Sequence, residues 1–348
     1  MVARNEADGL ARLWSARVGG SPRVALSSPD GFSLALASET EIRLYDAECG
    51  EEYARLAGHA GGTTSLAWSA DGGLFASAGL DGTIRHWDLV RCAEREIVDA
   101  GSARLEHLAF NPLGIASGEH LLAARAGPCV RVWNARGKLV KEFKRESAPL
   151  SALAWKPESD ELIGAAEDRI DTWKSRSARP GKRFRRQTAS LLSMSLSPTG
   201  RYVATGHSDA TVHLCDLRSG ADIQFAGYHA PVSQLSWDNR GRYLATSDGD
   251  CVTVWNCAGL PALALPRRLV GHDAPLTALR YQQRGSLLAA ADDSGLLLVW
   301  DPARGSLPVA VHRLEASVWA LAWLCRDTLL AAVTSTGAVP VFLVPGSR

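Results

Sequence analysis

The chain has 348 residues, 46% of them hydrophobic and 22% charged, which is enough apolar material for a sizeable core and excludes a disordered or collagen-like chain. Thirty-eight Lys and Arg against 37 Asp and Glu leave a formal charge of +1, so no field of the whole molecule draws it to nucleic acid or an anionic membrane. The longest apolar runs, such as Ser286 to Ala291 and Thr328 to Val333, fall far short of the ~20 residues of a membrane span. Arg4, Asn5, Glu6 and Asp8 stand where a secretory signal needs apolar residues, which predicts a cytoplasmic protein with no membrane partner. The seven cysteines (49, 92, 129, 215, 251, 257 and 325) form no C-x-x-C pair and read as reduced, mostly buried residues.

In chain order, residues 9–18 predict one strand ahead of a first unit that begins near Arg23. From there an aromatic-ended phrase recurs, closing at Asp46, Asp88, Asn134, Lys174, Asp216, Asn256, Asp301 and Leu343 with spacings of 40 to 46 residues. That period is one four-stranded propeller blade. The second unit shows the internal order best. Thr64 to Trp68 alternates as a strand, Ser69-Ala70-Asp71-Gly72 turns, Leu74 to Ser77 is the next strand, and Asp81-Gly82 turns into Thr83 to Trp87. Ser28-Pro29-Asp30-Gly31 and Ser197-Pro198-Thr199-Gly200 repeat the turn chemistry.

On these residues the chain resembles the WD40-repeat β-propeller family over about residues 9 to 344. The resemblance implies an all-β fold: a single domain over 1–348, closed as eight four-stranded blades, or seven if the first or eighth unit is not a blade. It also implies a buried hydrogen-bonded set of His59, Ser77, Asp81 and Trp87 that holds a blade together and catalyses nothing. Unit five keeps Thr205 and Asp209 but has Cys215 where Trp belongs. Units six and seven keep Gly227-Tyr228-His229 with Trp255 and Gly271-His272 with Trp300, while Asp250 and Asp293 sit one place off the expected distance. Units one, three, four and eight lack the Gly-His pair. The last unit ends three strands in, and residues 9–18 are expected to supply its missing outer strand.

Asp248, Asp250, Asp292 and Asp293 read as turn formers, and neither His207 with His213 nor Cys251 with Cys257 has the further ligands a metal needs. Walker-type glycine loops, G-x-S-x-G and H-E-x-x-H are absent, so neither an enzyme nor a cofactor is expected. The strongest charged feature is the basic rim at 174–186, with Arg176, Arg179, Lys182, Arg183, Arg185 and Arg186. It reads either as a charged outer strand or as a patch for nucleic acid or an acidic partner. The expected function is a non-catalytic scaffold, monomeric on its own, that presents loops to one or more partner proteins. An enzyme or small-molecule site in the central channel is the alternative from another class, with Arg23, Arg104, Glu106 and Arg280 as its only candidates. In the family the chain resembles, partners often touch the first residues of innermost strands and the residue before the turn Asp. Carried onto this sequence, that gives Thr64, Leu80, Arg104, Glu106, Leu192 and Trp319, with Arg23 in the first unit; Trp319 flanked by Arg23 and Arg104 is the expected hot spot, the alternative being that Trp319 only plugs the channel mouth.

Overall fold

A computed structural model describes residues 9–19, 22, 24–101, 104–114, 119–144, 150–167, 169–177, 181–185, 189–258 and 265–344. Thirty-two strands are described, and they form eight antiparallel sheets of four strands each, the blades of a β-propeller. Seven blades run consecutively along the chain, spanning 24–57, 63–99, 105–144, 152–185, 191–225, 235–269 and 276–313. The eighth combines Val318–Leu324, Leu329–Thr334 and Ala338–Leu343 with Ala11–Arg17, which pairs antiparallel with Ala338–Leu343 as its outer strand. Eight blades, not seven, are therefore present.

The chain divides into two compact units. One holds blades 1 to 4 (19–46 and 51–191), the other blades 5 to 8 with residues 1–18 and 47–50. In both, the second and third strands of a blade are buried on both faces, which is why they read as unbroken apolar runs: Leu34 to Ala37 and Leu288 to Ala291 are wholly inaccessible. Alanine is frequent on second strands (Ala76, Ala78, Ala123, Ala124, Ala289, Ala290, Ala291) because the next blade packs directly on them. The core is a series of clusters between successive blades. Leu66, Phe75 and Trp87 meet Ile42 and Leu44 in one; Trp323 and Phe342 meet Leu297, Val299 and Leu10 in another. Each large side chain so buried contributes roughly 1.5–3 kcal/mol.

Outer strands carry charge on their open side. On blade 1, Arg43 pairs with Glu41 (2.5 Å) and Glu52 (3.4 Å), and Glu52 also binds Arg55 (2.8 Å), a ladder that leaves the edge soluble and poor for pairing. The terminal strand Ala11–Arg17 is fastened by a different device. Trp14 Nε1 donates to the Ala47 carbonyl at 3.0 Å, and the indole lies against Gly50, whose φ is +76°. A β-carbon there would sit 2.5 Å from the indole, so the turn needs glycine both for its conformation and for the approach of Trp14.

Candidate functional site

The four side chains singled out in the second unit form one relay. Trp87 Nε1 donates to Ser77 Oγ (2.9 Å), Ser77 Oγ meets His59 Nε2 (2.7 Å), and His59 Nδ1 meets Asp81 Oδ1 (2.9 Å). A carboxylate beside Nδ1 places the proton there, so Nε2 accepts from Ser77 while Ser77 accepts from Trp87. Burial pushes the imidazole pKa down, which keeps it neutral as this scheme requires. Burial also opposes charge on Asp81, but hydrogen bonds from His59 and Thr83 outweigh it and hold its pKa down to about 2. Gly79 lies beneath His59; a β-carbon there would be 2.2 Å from the histidine's own.

The other units depart from this arrangement in a way the sequence alignment did not show. In blade 6 the residue at the His59 place is Tyr228, not His229. Its hydroxyl receives Trp255 Nε1 (2.7 Å) and meets Thr246 Oγ1 (2.9 Å), so one phenol does the work of histidine and part of that of serine. His229 stands one residue further on, exposed, against Asp248 (3.1 Å). In blade 7 His272 Nδ1 binds Asp292 (2.9 Å). The aspartates facing the histidines are thus Asp248 and Asp292, not Asp250 and Asp293. Strand register explains the shift: both fall on the ladder position that Gly79 holds in blade 2, two residues inward of Asp81. Asp292 still serves its turn, since Oδ1 accepts from Ser294 N (2.9 Å) and Leu296 N (3.0 Å). His207 occupies the same ladder position in blade 5, where Nε2 meets Thr205 Oγ1 (3.0 Å), and His213 binds Asp222 (2.7 Å). Among the described residues no group of three or more His, Cys, Asp or Glu is gathered as a metal site. The buried cysteines are 215, 251, 257 and 325, whereas Cys49 and Cys92 are exposed.

The candidate partner-facing residues fare unevenly. Leu192 is 45% exposed. Thr64 is committed to the fold, its hydroxyl shared between the Ala78 and Leu105 carbonyls (3.0 and 2.5 Å), and Thr277 makes the matching bonds to Ala291 and Val318. Each sits at an irregularity in strand register, and Trp319 occupies the same irregularity in blade 8. An indole cannot bridge two carbonyls as threonine does. Trp319 is half-buried and its Nε1 has no acceptor. Arg104 is not free: it contacts Glu106, which also pairs with Arg125 (2.8 Å). Leu80 is half-buried on its turn, donating its N–H to the Gly62 carbonyl. Arg23 lies outside the described residues.

The basic segment forms the outer strand of blade 4, Arg183–Arg185. Arg176 pairs with Glu119 (2.6 Å), and Arg183, 67% exposed, lies 3.9 Å from Asp171, which Arg169 holds more closely at 3.1 Å. The Lys182 backbone N–H donates to Thr172 Oγ1. Arg179 and Arg186, and the side chain of Arg185, lie outside the described residues. Sequence reasoning missed a different basic group, Arg240, Arg242, Arg267 and Arg284, because three separate segments bring it together.

Eight four-stranded blades holding at least one complete Trp-Ser-His-Asp relay define a repeat propeller. The family described as "WD domain, G-beta repeat" matches residues 50–88, 179–216, 223–256 and 264–301. Each match takes the outer strand of one blade with the three inner strands of the next, the same offset that leaves Ala11–Arg17 to complete blade 8. A protein named "Periodic tryptophan protein 2 homolog" from Dictyostelium discoideum is 27% identical over 203 residues, covering 56% of this chain and 22% of its own length. "Small ribosomal subunit protein RACK1y" from Oryza sativa subsp. japonica is 32% identical over 129 residues, covering 34% of this chain and 37% of its own. The chain therefore spans well under half the length of these two relatives. A crystal structure of the computationally designed Ika8 protein superposes with a TM-score of 0.77 at 18% identity, over 97% of this chain and 99% of that one, which speaks for the fold alone. The chain is a WD40-repeat β-propeller protein. Proteins of this family generally mediate protein interactions and are typically non-catalytic. No described helix is long and apolar enough to cross a membrane.

Proposed function

We propose that this protein is a cytoplasmic, non-catalytic scaffold that engages partner proteins through the residues at the entry of its innermost strands. The observation that carries this reading is the contrast at one repeated position. Thr64 and Thr277 spend their hydroxyls on strand carbonyls, whereas Trp319 brings a large, half-buried indole. Partly open aromatics are the usual anchors of protein interfaces. The exposed Leu192, also on an innermost strand, supplies a second apolar contact. The test is cross-linking mass spectrometry on the protein purified with its native partner: cross-links and protection should gather around Leu192 and Trp319. Contacts confined to outer strands would contradict it.

A second reading, nucleic-acid or acidic-partner binding through the outer strand of blade 4, is supported by the exposed Arg183 and by a relative whose name places that relative in the small ribosomal subunit. Arg176 is already neutralised by Glu119, which weakens it. Binding of a non-specific RNA that falls steeply with salt and is lost in Arg183→Ala would favour it over the scaffold reading.

A further inference from the structure

Residues of blades 6 and 7 line a pocket open to solvent, with a volume of about 640 Å³, within the usual range of small-ligand sites, ~300–1,000 Å³. Its walls carry four arginines, Arg240, Arg242, Arg267 and Arg284, against a single carboxylate, Asp238. Among the described ion pairs none involves these four guanidinium groups, although Arg201, Arg268, Arg304 and Arg313 nearby in sequence are all paired. Asp238 is 8% exposed and spends Oδ1 on the backbone N–H groups of Arg242 (2.6 Å) and Tyr243 (2.8 Å). The lining therefore carries a net charge of about +3, on four solvent-exposed arginines that an anion entering the pocket would meet.

The walls are also held in place before any ligand arrives. The turn bearing Arg284 is pinned by Asp327, whose carboxylate accepts from the backbone of Gln283 (3.1 Å), Arg284 (2.5 Å) and Gly285 (3.1 Å). The turn bearing Arg240 and Arg242 is tied to it by Asn239 Nδ2, which donates to the Arg284 carbonyl. Val254, Leu265, Pro302 and Ala303 give part of the lining an apolar character that a bare inorganic anion would not use.

We propose that this pocket binds a small organic phosphate, its phosphoryl groups on the arginines, its carbon skeleton against the apolar wall. Several guanidinium groups converging on one volume match the multiple charge and planar oxygen geometry of phosphoryl groups better than a single carboxylate. The lining shares no residue with the strand-entry surface or with the basic strand of blade 4.

Isothermal titration of the full chain with ADP and with inorganic pyrophosphate tests this. ADP is expected to bind saturably with one site, at least tenfold tighter than pyrophosphate. The double variant Arg242→Gln/Arg267→Gln should weaken it at least tenfold. Arg183→Gln, on the outer strand of blade 4, should leave it unchanged. Thermal melting of each variant confirms folding. No saturable binding of either probe, pyrophosphate binding as tightly as ADP, or equal affinity in the double variant and the wild type would overturn the proposal.

Discussion

His272 and Trp300 face each other in blade 7 with ring centroids 5.6 Å apart, and the nitrogens they turn inward, His272 Nε2 and Trp300 Nε1, both lack a partner. In blade 2 the Ser77 hydroxyl stands between the corresponding pair. The same ladder position in blade 7 is Ala290, wholly buried. One missing oxygen thus orphans both a donor and an acceptor.

Ala290→Ser should restore the relay, accepting from Trp300 and donating to His272, and stabilise the protein by about 1–2 kcal/mol. Chemical denaturation reads this as a higher midpoint at unchanged slope. A lower midpoint would mean that the extra oxygen finds no room. The complementary change, Ser77→Ala, should cost blade 2 about 1–3 kcal/mol by recreating the same defect.

Tyr228→Phe should destabilise blade 6 by a similar 1–3 kcal/mol, since it strands Trp255 Nε1 and leaves Thr246 without its phenol partner. His229→Ala, by contrast, should change the melting temperature little, because that imidazole is exposed and Asp248 keeps Arg268 (3.2 Å) and the backbone N–H of residue 229 as partners. The reverse ranking would restore the reading in which His229 is the network histidine.

Acid should weaken the blade 2 relay. The pKa of Asp81 is lower in the folded protein than the ordinary 3.8, so its contribution is complete above that value and is lost as pH falls towards about 2. His59, whose pKa is also lowered in the fold, contributes above its ordinary 6.5 and loses that contribution as pH falls. Both act in the same direction. Asp81→Asn should lower stability at pH 7 and flatten its decline between pH 4 and 2; an equally steep decline in the variant would assign the acid response to other carboxylates.

Removing residues 1–18 deletes the outer strand of blade 8 and the bond from Trp14 to Ala47, exposing the open edge of Ala338–Leu343. Aggregation or a large fall in stability is expected. Gly50→Ala tests the same attachment more gently: the position has positive φ and faces the indole, so a loss of about 1–2 kcal/mol is expected. A truncated protein as soluble and stable as the full chain would show that the strand is dispensable.

The blade period, the turn chemistry and the terminal strand were legible in the sequence because each is a local pattern of apolar runs and Gly, Pro or Asp turns. The relay of His59, Ser77, Asp81 and Trp87 was legible only through the resemblance to the WD40 family, whose signature those four residues match. Its variants were not. Counting back from the tryptophan assumes a fixed turn length, yet blade 6 turns in two residues, Gly249 and Asp250, so the count passed over Asp248. Placing Tyr228 at the histidine position required the ladder register, and recognising Thr64 as a cross-link required its carbonyl partners. The arginine-lined cavity depends on strands and turns of two blades together and leaves no contiguous sequence signal.

The most direct test of the scaffold reading is quantitative affinity purification of the tagged protein from its native source, comparing wild type with a Leu192→Asp/Trp319→Ala variant shown to be folded by circular dichroism. The account predicts a partner protein in near-stoichiometric yield with the wild type, reduced at least tenfold with that variant and unchanged with Arg183→Ala. Full retention of every partner by the Leu192/Trp319 variant would contradict it.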